Sequence, residues 1–200
     1  MTPRIFLLSP AHAGGERARL LFSERAGFDL AVRLRHDAAP LDEVFAFVSG
    51  LYFRGKLAYC RAFANPPPGA PPALVIAAGR GLSPPETPIT LEDLRRIAAV
   101  PIDAADPRYR EPLERDALAL ARFDCPIVLL GSIATRKYIE PLLNIFEQRL
   151  WFPSAFVGRG DMSRGGLMLR CARAGVELDY TPVLGAPRHG PRPSRLPRMR

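Results

Sequence analysis

The stretch RIFLLSPAH, Arg4–His12, decides the fold. Ile5–Leu8 is an uninterrupted apolar run and reads as a strand buried on both faces, the kind that belongs to parallel sheets covered by helices. Ser9-Pro10-Ala11-His12 ends it, and a helix pattern follows from about Ala13 to Glu24. The same phrase recurs along the chain. Ala73–Ala78 is a second buried strand, ending in Gly79-Arg80-Gly81, and Pro126–Leu130 is a third, ending in Gly131-Ser132.

Helical patterns fill the intervals. Pro40 opens a long one, weakened at Gly50 and Gly55, where a break or close packing is expected. Thr90 caps another, with Glu92 and Asp93 in its first turn. Further helices are predicted over about Pro107–Phe123, Arg136–Gln148 and Asp161–Ala174, with Asp161 as N-cap of the last. Leu30, Val32 and Leu34 alternate with Ala31, Arg33 and Arg35 and predict an edge strand. Leu150–Val157 is strand-like but broken by Pro153. Val176–Val183 alternates and predicts a final strand with one wet face. Alternating strands and helices imply a single three-layer α/β domain with a largely parallel central sheet flanked by helices.

The chain has 200 residues, 48% hydrophobic and 24% charged, which fits one globular domain and excludes wholesale disorder. No apolar run approaches the roughly 18 residues of a membrane helix, so no membrane partner is expected. No basic-then-apolar leader opens the sequence, which predicts a cytoplasmic protein. Cys60, Cys125 and Cys171 are widely spaced in apolar surroundings and fit buried thiols of a reducing compartment. Three scattered histidines and three scattered cysteines give no metal spacing, and neither GxxxxGK[ST] nor GxGxxG occurs, so no metal and no cofactor is expected.

The formal charge is +8. Of the 28 basic residues, five stand in residues 185–200, which hold no acid. The remaining 184 residues carry 23 bases against 20 acids. Domain 1–184 therefore precedes a basic, Pro- and Arg-rich tail, 185–200, expected to be disordered and dispensable for folding. Arginine occurs 26 times and lysine only at Lys56 and Lys137. In so biased a composition, a lysine marks a place where a compact ammonium is wanted and a guanidinium does not substitute.

Ligands of parallel sheets bind at the carboxyl ends of the strands. Here those ends are Ser9–His12, Gly79–Gly81, Gly131–Thr135 and Gly158–Asp161, and one composite site is expected there. Gly-Arg-Gly at Arg80 and at Arg159 combines a flexible backbone with a guanidinium, suited to phosphate or carboxylate. Gly165-Gly166, inside the last helix, implies either close packing against the sheet or ligand approach near Ser163 and Arg164. Ser9 and Ser132 have no GxSxG elbow and read as phosphate-binding or turn-capping hydroxyls rather than nucleophiles. His12, directly after a strand end, is a candidate acid or base.

Taken in order, Ser9-Pro10-Ala11, Gly79-Arg80-Gly81-Leu82, Ser132-Ile133-Ala134-Thr135-Arg136-Lys137-Tyr138 and Arg159-Gly160-Asp161-Met162-Ser163-Arg164 resemble the motifs of the YaaA peroxide-stress family. The last island is the most specific. The chain departs from the pattern at His12, where the family has lysine, and around Thr135-Arg136-Lys137. The resemblance implies an α/β protein linked to protection from hydrogen peroxide and to DNA binding.

Three functions follow as expectations. The first is binding of nucleic acid or a nucleotide, with Ser9, Lys56, Arg80, Ser132, Lys137, Arg159 and Arg164 on phosphate and Tyr52 or Tyr138 stacked on a base. The second is an enzyme acting on a small nucleotide-like or phosphorylated substrate, with His12 or Lys56 as acid–base or nucleophile. The third is a non-catalytic module that binds through the basic tail.

Overall fold

The computed structural model describes residues 2–194 and 196. Its central sheet has six strands: β1 (Ile5–Leu8), β3 (Ala73–Ala77), β4 (Gly81–Ser83), β6 (Ile127–Leu130), β7 (Leu150–Pro153) and β8 (Tyr180–Pro182). Their spatial order is β4-β3-β1-β6-β7-β8. The inner four run parallel, and the edge strands β4 and β8 return antiparallel. A separate two-stranded ribbon joins β2 (Ala39–Pro40) to β5 (Pro88–Ile89).

Every residue of β1, β3 and β6 is buried, which is why those strands are continuous apolar runs. Phe6 lies opposite Ala73 on one side and Val128 on the other, so the first strand is the centre of the core. Helices surround the sheet in one three-layer α/β domain. They are α1 (Glu16–Phe22), α2 (Asp29–His36), α3 (Leu41–Ser49), α4 (Leu51–Phe63), α5 (Leu91–Ala99), α6 (Pro107–Leu120), α7 (Arg136–Phe146) and α8 (Asp161–Ala174). None of the described helices is long and apolar enough to cross a membrane.

Thr90 completes a reciprocal capping box with Asp93. The long pattern after Pro40 is two helices, because Gly50 has φ +57° and breaks it. The stretch around Leu30–Leu34 is helix α2, and the expected edge strand does not form. Leu30, Ala31 and Leu34 face the core at helical spacing, Val32 is turned outward, and Arg33 pairs with Asp29 one turn back. The alternation in sequence was the chance overlap of two periods. Likewise β8 is only three residues long, since Val176 is exposed and Glu177 and Tyr180 turn into a polar network.

The glycines of α4 and α8 set their crossing. A Cβ on Gly55 would stand 2.6 Å from the Gly165 carbonyl oxygen, and one on Gly165 would stand 2.8 Å from the Tyr52 Cα. The two backbones touch, and this is the most extensive contact between any two elements. Gly165 therefore packs against α4, where packing against the sheet was expected. Of the expected tail, Arg195 and residues 197–200 lie outside the described residues. Residues 185–194 hold neither helix nor strand, and the Pro191 carbonyl oxygen occupies the place a Cβ on Gly158 would take.

Candidate functional site

The α4–α8 crossing delivers side chains to the carboxyl end of β1. Ser9 follows that strand, and its N–H and hydroxyl both donate to the Leu130 carbonyl at the end of β6. Gly131 is small because a Cβ there would stand 2.8 Å from the Ser9 Cβ. From α4 comes Lys56, which is fully buried. Its Nζ donates to the Ser9 Oγ at 2.7 Å and to the Ser9 carbonyl at 2.8 Å. The third face of the ammonium lies 3.9 Å from the centroid of the Tyr52 ring, a cation–π contact, with Phe53 at 5.3 Å.

No carboxylate among the described residues lies within ion-pair distance of Lys56. Burial is the main force on it and pushes its pKa down to about 7, with the Asp161 carboxylate opposing and Arg164 assisting the fall. A lysine at that value exchanges its proton readily at neutral pH. When charged, it uses Ser9 as an acceptor. When neutral, it offers Ser9 a lone pair.

Arg164 comes from α8 and is also buried. It donates to the Phe156 carbonyl at 3.3 Å and to Asp161 at 3.0 Å. Asp161 is the first helical residue; the cap position belongs to Gly160, so no side-chain cap closes the start of α8. Nor does one close α7, whose cap position is held by Thr135 and whose first turn carries Tyr138. The phenols of Tyr52 and Tyr138 are both raised, by burial first and then by Asp161, while Arg164 and the Ser9 hydroxyl pull them back. The Tyr52 hydroxyl feels Ser9 but makes no hydrogen bond of ordinary geometry, and it is left buried without a partner.

The expected site residues thus divide. Ser9, Tyr52, Lys56, Tyr138 and Arg164 come together, and Asp161, read from sequence as a cap within the strand-end segment Gly158–Asp161, joins them. Its spacing of three from Arg164 on one helix was the available signal. Arg159 and Ser163 lie at the same helix start but are engaged locally: Arg159 donates to the Ala155 carbonyl and to the Ser163 hydroxyl. Ser132 accepts from the Ala134 N–H and caps a turn. Arg80 pairs with Asp93 and shares no partner with Arg164. His12 and Lys137 are exposed and line a separate cleft of about 250 Å³ with Ala78, Val100 and Ile102. No group of metal-ligating side chains occurs among the described residues.

Fold and site together define a three-layer α/β protein with a buried Ser–Lys–Tyr–Arg cluster at its strand ends. No protein-family model matches the chain, and no curated protein or solved structure matches it significantly.

Proposed function

We propose that the chain binds a small phosphorylated or nucleotide-like molecule at this cluster and that Lys56 carries a proton there. The observation that supports this is the burial of the Lys56 ammonium without a carboxylate. Removing a charge from water without a counter-charge is costly, and a fold that needed only a strut could use an uncharged side chain. Arg164 already engages Asp161, so an anionic group would balance the lysine. Two helix starts without side-chain caps favour the same kind of ligand. The YaaA-like islands support the reading, because Ser9, Tyr138, Asp161 and Arg164, which lie within them, are the residues that meet. A part in protection from peroxide is what that resemblance adds.

A nucleic-acid surface is the second reading, favoured by the +8 charge and the arginines of the tail. Phosphates of a duplex would contact exposed arginines, not Lys56.

Thermal-shift titration with inorganic phosphate, a set of mononucleotides and a 20-base-pair duplex at two salt concentrations separates the readings. At one hundred times Kd, a bound mononucleotide stabilises by about 2.7 kcal/mol. That shift should survive fourfold more salt and vanish in Lys56→Met. Failure of every small phosphate to bind, or binding that ignores Lys56→Met, overturns the reading of the cluster as the binding site. Duplex binding that falls steeply with salt would favour the surface.

A further inference from the structure

We propose that Ser9 is a nucleophile for phosphoryl transfer, with Lys56 as its general base. The inference rests on the reading that the cluster takes a phosphorylated ligand. Sequence pattern argued against it, since no nucleophile elbow surrounds Ser9. Geometry argues for it. The Ser9 Oγ is 2.7 Å from the Lys56 Nζ, the distance at which a base takes a hydroxyl proton. The Ser9 backbone N–H holds the residue to the Leu130 carbonyl, and the single hydroxyl proton, which points to that carbonyl while Lys56 is charged, turns to the Lys56 Nζ when the amine is neutral.

Around this pair stand groups suited to a phosphoryl oxygen. Helix α7 begins at Arg136, five residues after Gly131, which touches Ser9, and α8 begins at Asp161, one turn before Arg164. Two helix N-termini without side-chain caps offer backbone N–H groups to an anion. The unpartnered, buried Tyr52 hydroxyl supplies a further donor whose need is unmet within the described residues.

The Ser9 oxygen bonds to phosphorus as its proton passes to neutral Lys56. The bond from phosphorus to the leaving oxygen breaks, and the Lys56 ammonium returns the proton to that oxygen. The phosphoserine is then hydrolysed by water, which Lys56 deprotonates in turn, restoring the hydroxyl and releasing phosphate. No redox partner is needed.

A small phosphorus electrophile, diisopropyl fluorophosphate, tests this on the full chain without knowledge of the substrate. Intact-mass analysis should show one adduct, mapped by peptide digestion to Ser9. Its rate should rise with pH around a midpoint near 7 and level off. Ser9→Ala should abolish it, and Lys56→Arg should slow it at least 100-fold at pH 7.5, the low end of what a general base contributes. Absence of the adduct, its persistence in Ser9→Ala, or an unchanged rate in Lys56→Arg overturns the proposal.

Ser9 is almost wholly buried, so access is tested with Ser9→Cys and iodoacetamide. Alkylation of that thiol without labelling of Ser9 shows an accessible hydroxyl that is not activated. Failure of both shows a position no substrate reaches. Either result refutes Ser9 as nucleophile. Mononucleotide binding retained in Ser9→Ala would leave the binding reading standing even then.

Discussion

At the amino end of the sheet, buried Arg4 pairs with Glu177, which accepts from the Tyr180 hydroxyl; that hydroxyl meets Tyr59, and Tyr59 accepts from the Leu178 N–H. At the carboxyl end, buried Lys56 meets only the oxygens of Ser9 and an aromatic face, while the Tyr52 hydroxyl has no partner. The two ends use similar materials, two tyrosines and one carboxylate each, but the amino end has one cation and the carboxyl end two, Lys56 and Arg164. They differ in closure. The Arg4 chain returns to the backbone with its charge balanced, and it pins the segment before β8 to the entrance of β1. The Lys56 cluster stops short, with the nearest carboxylate committed to Arg164. A closed network stabilises, whereas an open one is maintained against its own cost and needs a function to explain it.

The strongest way to break the comparison is to remove the crossing that builds the open end. In Gly165→Ala the new methyl meets the Leu51 carbonyl oxygen at 2.7 Å and the Tyr52 Cα at 2.8 Å, both backbone atoms that cannot turn aside. A loss of about 3 kcal/mol or more is expected in urea unfolding, with any ligand-induced thermal shift lost alongside. Gly166→Ala, whose nearest neighbour is the Leu196 side chain at 3.8 Å, is the control and should cost far less.

Next in size is the charge test. Glu177→Gln leaves Arg4 buried and unpaired and should cost about 2–4 kcal/mol in the same assay. Lys56→Met removes an unpaired charge and retains apolar volume, so at pH 6.5 it should be neutral or stabilising. Equal losses in the two variants would show that both ends are structural.

Acidity sharpens the contrast. The folded-state pKa of Lys56, about 7, lies below its ordinary 10.5, so between those values the unfolded chain binds one proton more than the folded one. Stability from this group therefore rises as pH climbs from 7, by on the order of 5 kcal/mol if the whole window were traversed. Cysteine thiols raised by burial, Cys60 to about 12, act in the opposite direction above pH 9. The clean interval is pH 7 to 9, where the native protein should gain stability and Lys56→Met should not. Parallel curves would mean that Lys56 stays charged.

Much of the architecture was legible because three strands are buried on both faces and announce it by unbroken apolar runs. Helix α2 was misread because Leu30, Val32 and Leu34 satisfy period two while Leu30, Ala31 and Leu34 satisfy the helix, and the burial that chooses between them is tertiary. Within the site, Lys56 stood out through its rarity, and Ser9 and Arg164 through their places at a strand end and a helix start. The contact that unites them was invisible: Gly55 and Gly165 are distant in sequence, and neither the break or close packing read at Gly55 nor the sheet packing or ligand approach read at Gly165 named the other helix. Asp161 carried only its spacing of three from Arg164, and its influence on Lys56 and the tyrosines depends on the cluster that the crossing assembles.

The smallest effect is expected where composition gave two residues the same standing. Lys56 and Lys137 are equally anomalous in a chain of 26 arginines, but Lys137 is exposed beside His12 on a separate cleft. An exposed ammonium is screened by water and salt, and replacing it with a guanidinium changes stability by no more than about 0.5 kcal/mol. At Lys56 the same exchange must seat a planar, permanently charged group where a compact amine fits between Ser9 and Tyr52, so binding and proton transfer should both fail. Lys137→Arg should therefore leave the melting temperature unchanged and shift mononucleotide affinity by less than threefold in the thermal-shift titration. A tenfold loss would join the His12–Lys137 cleft to the buried cluster and extend the open end of the sheet across β1 and β3.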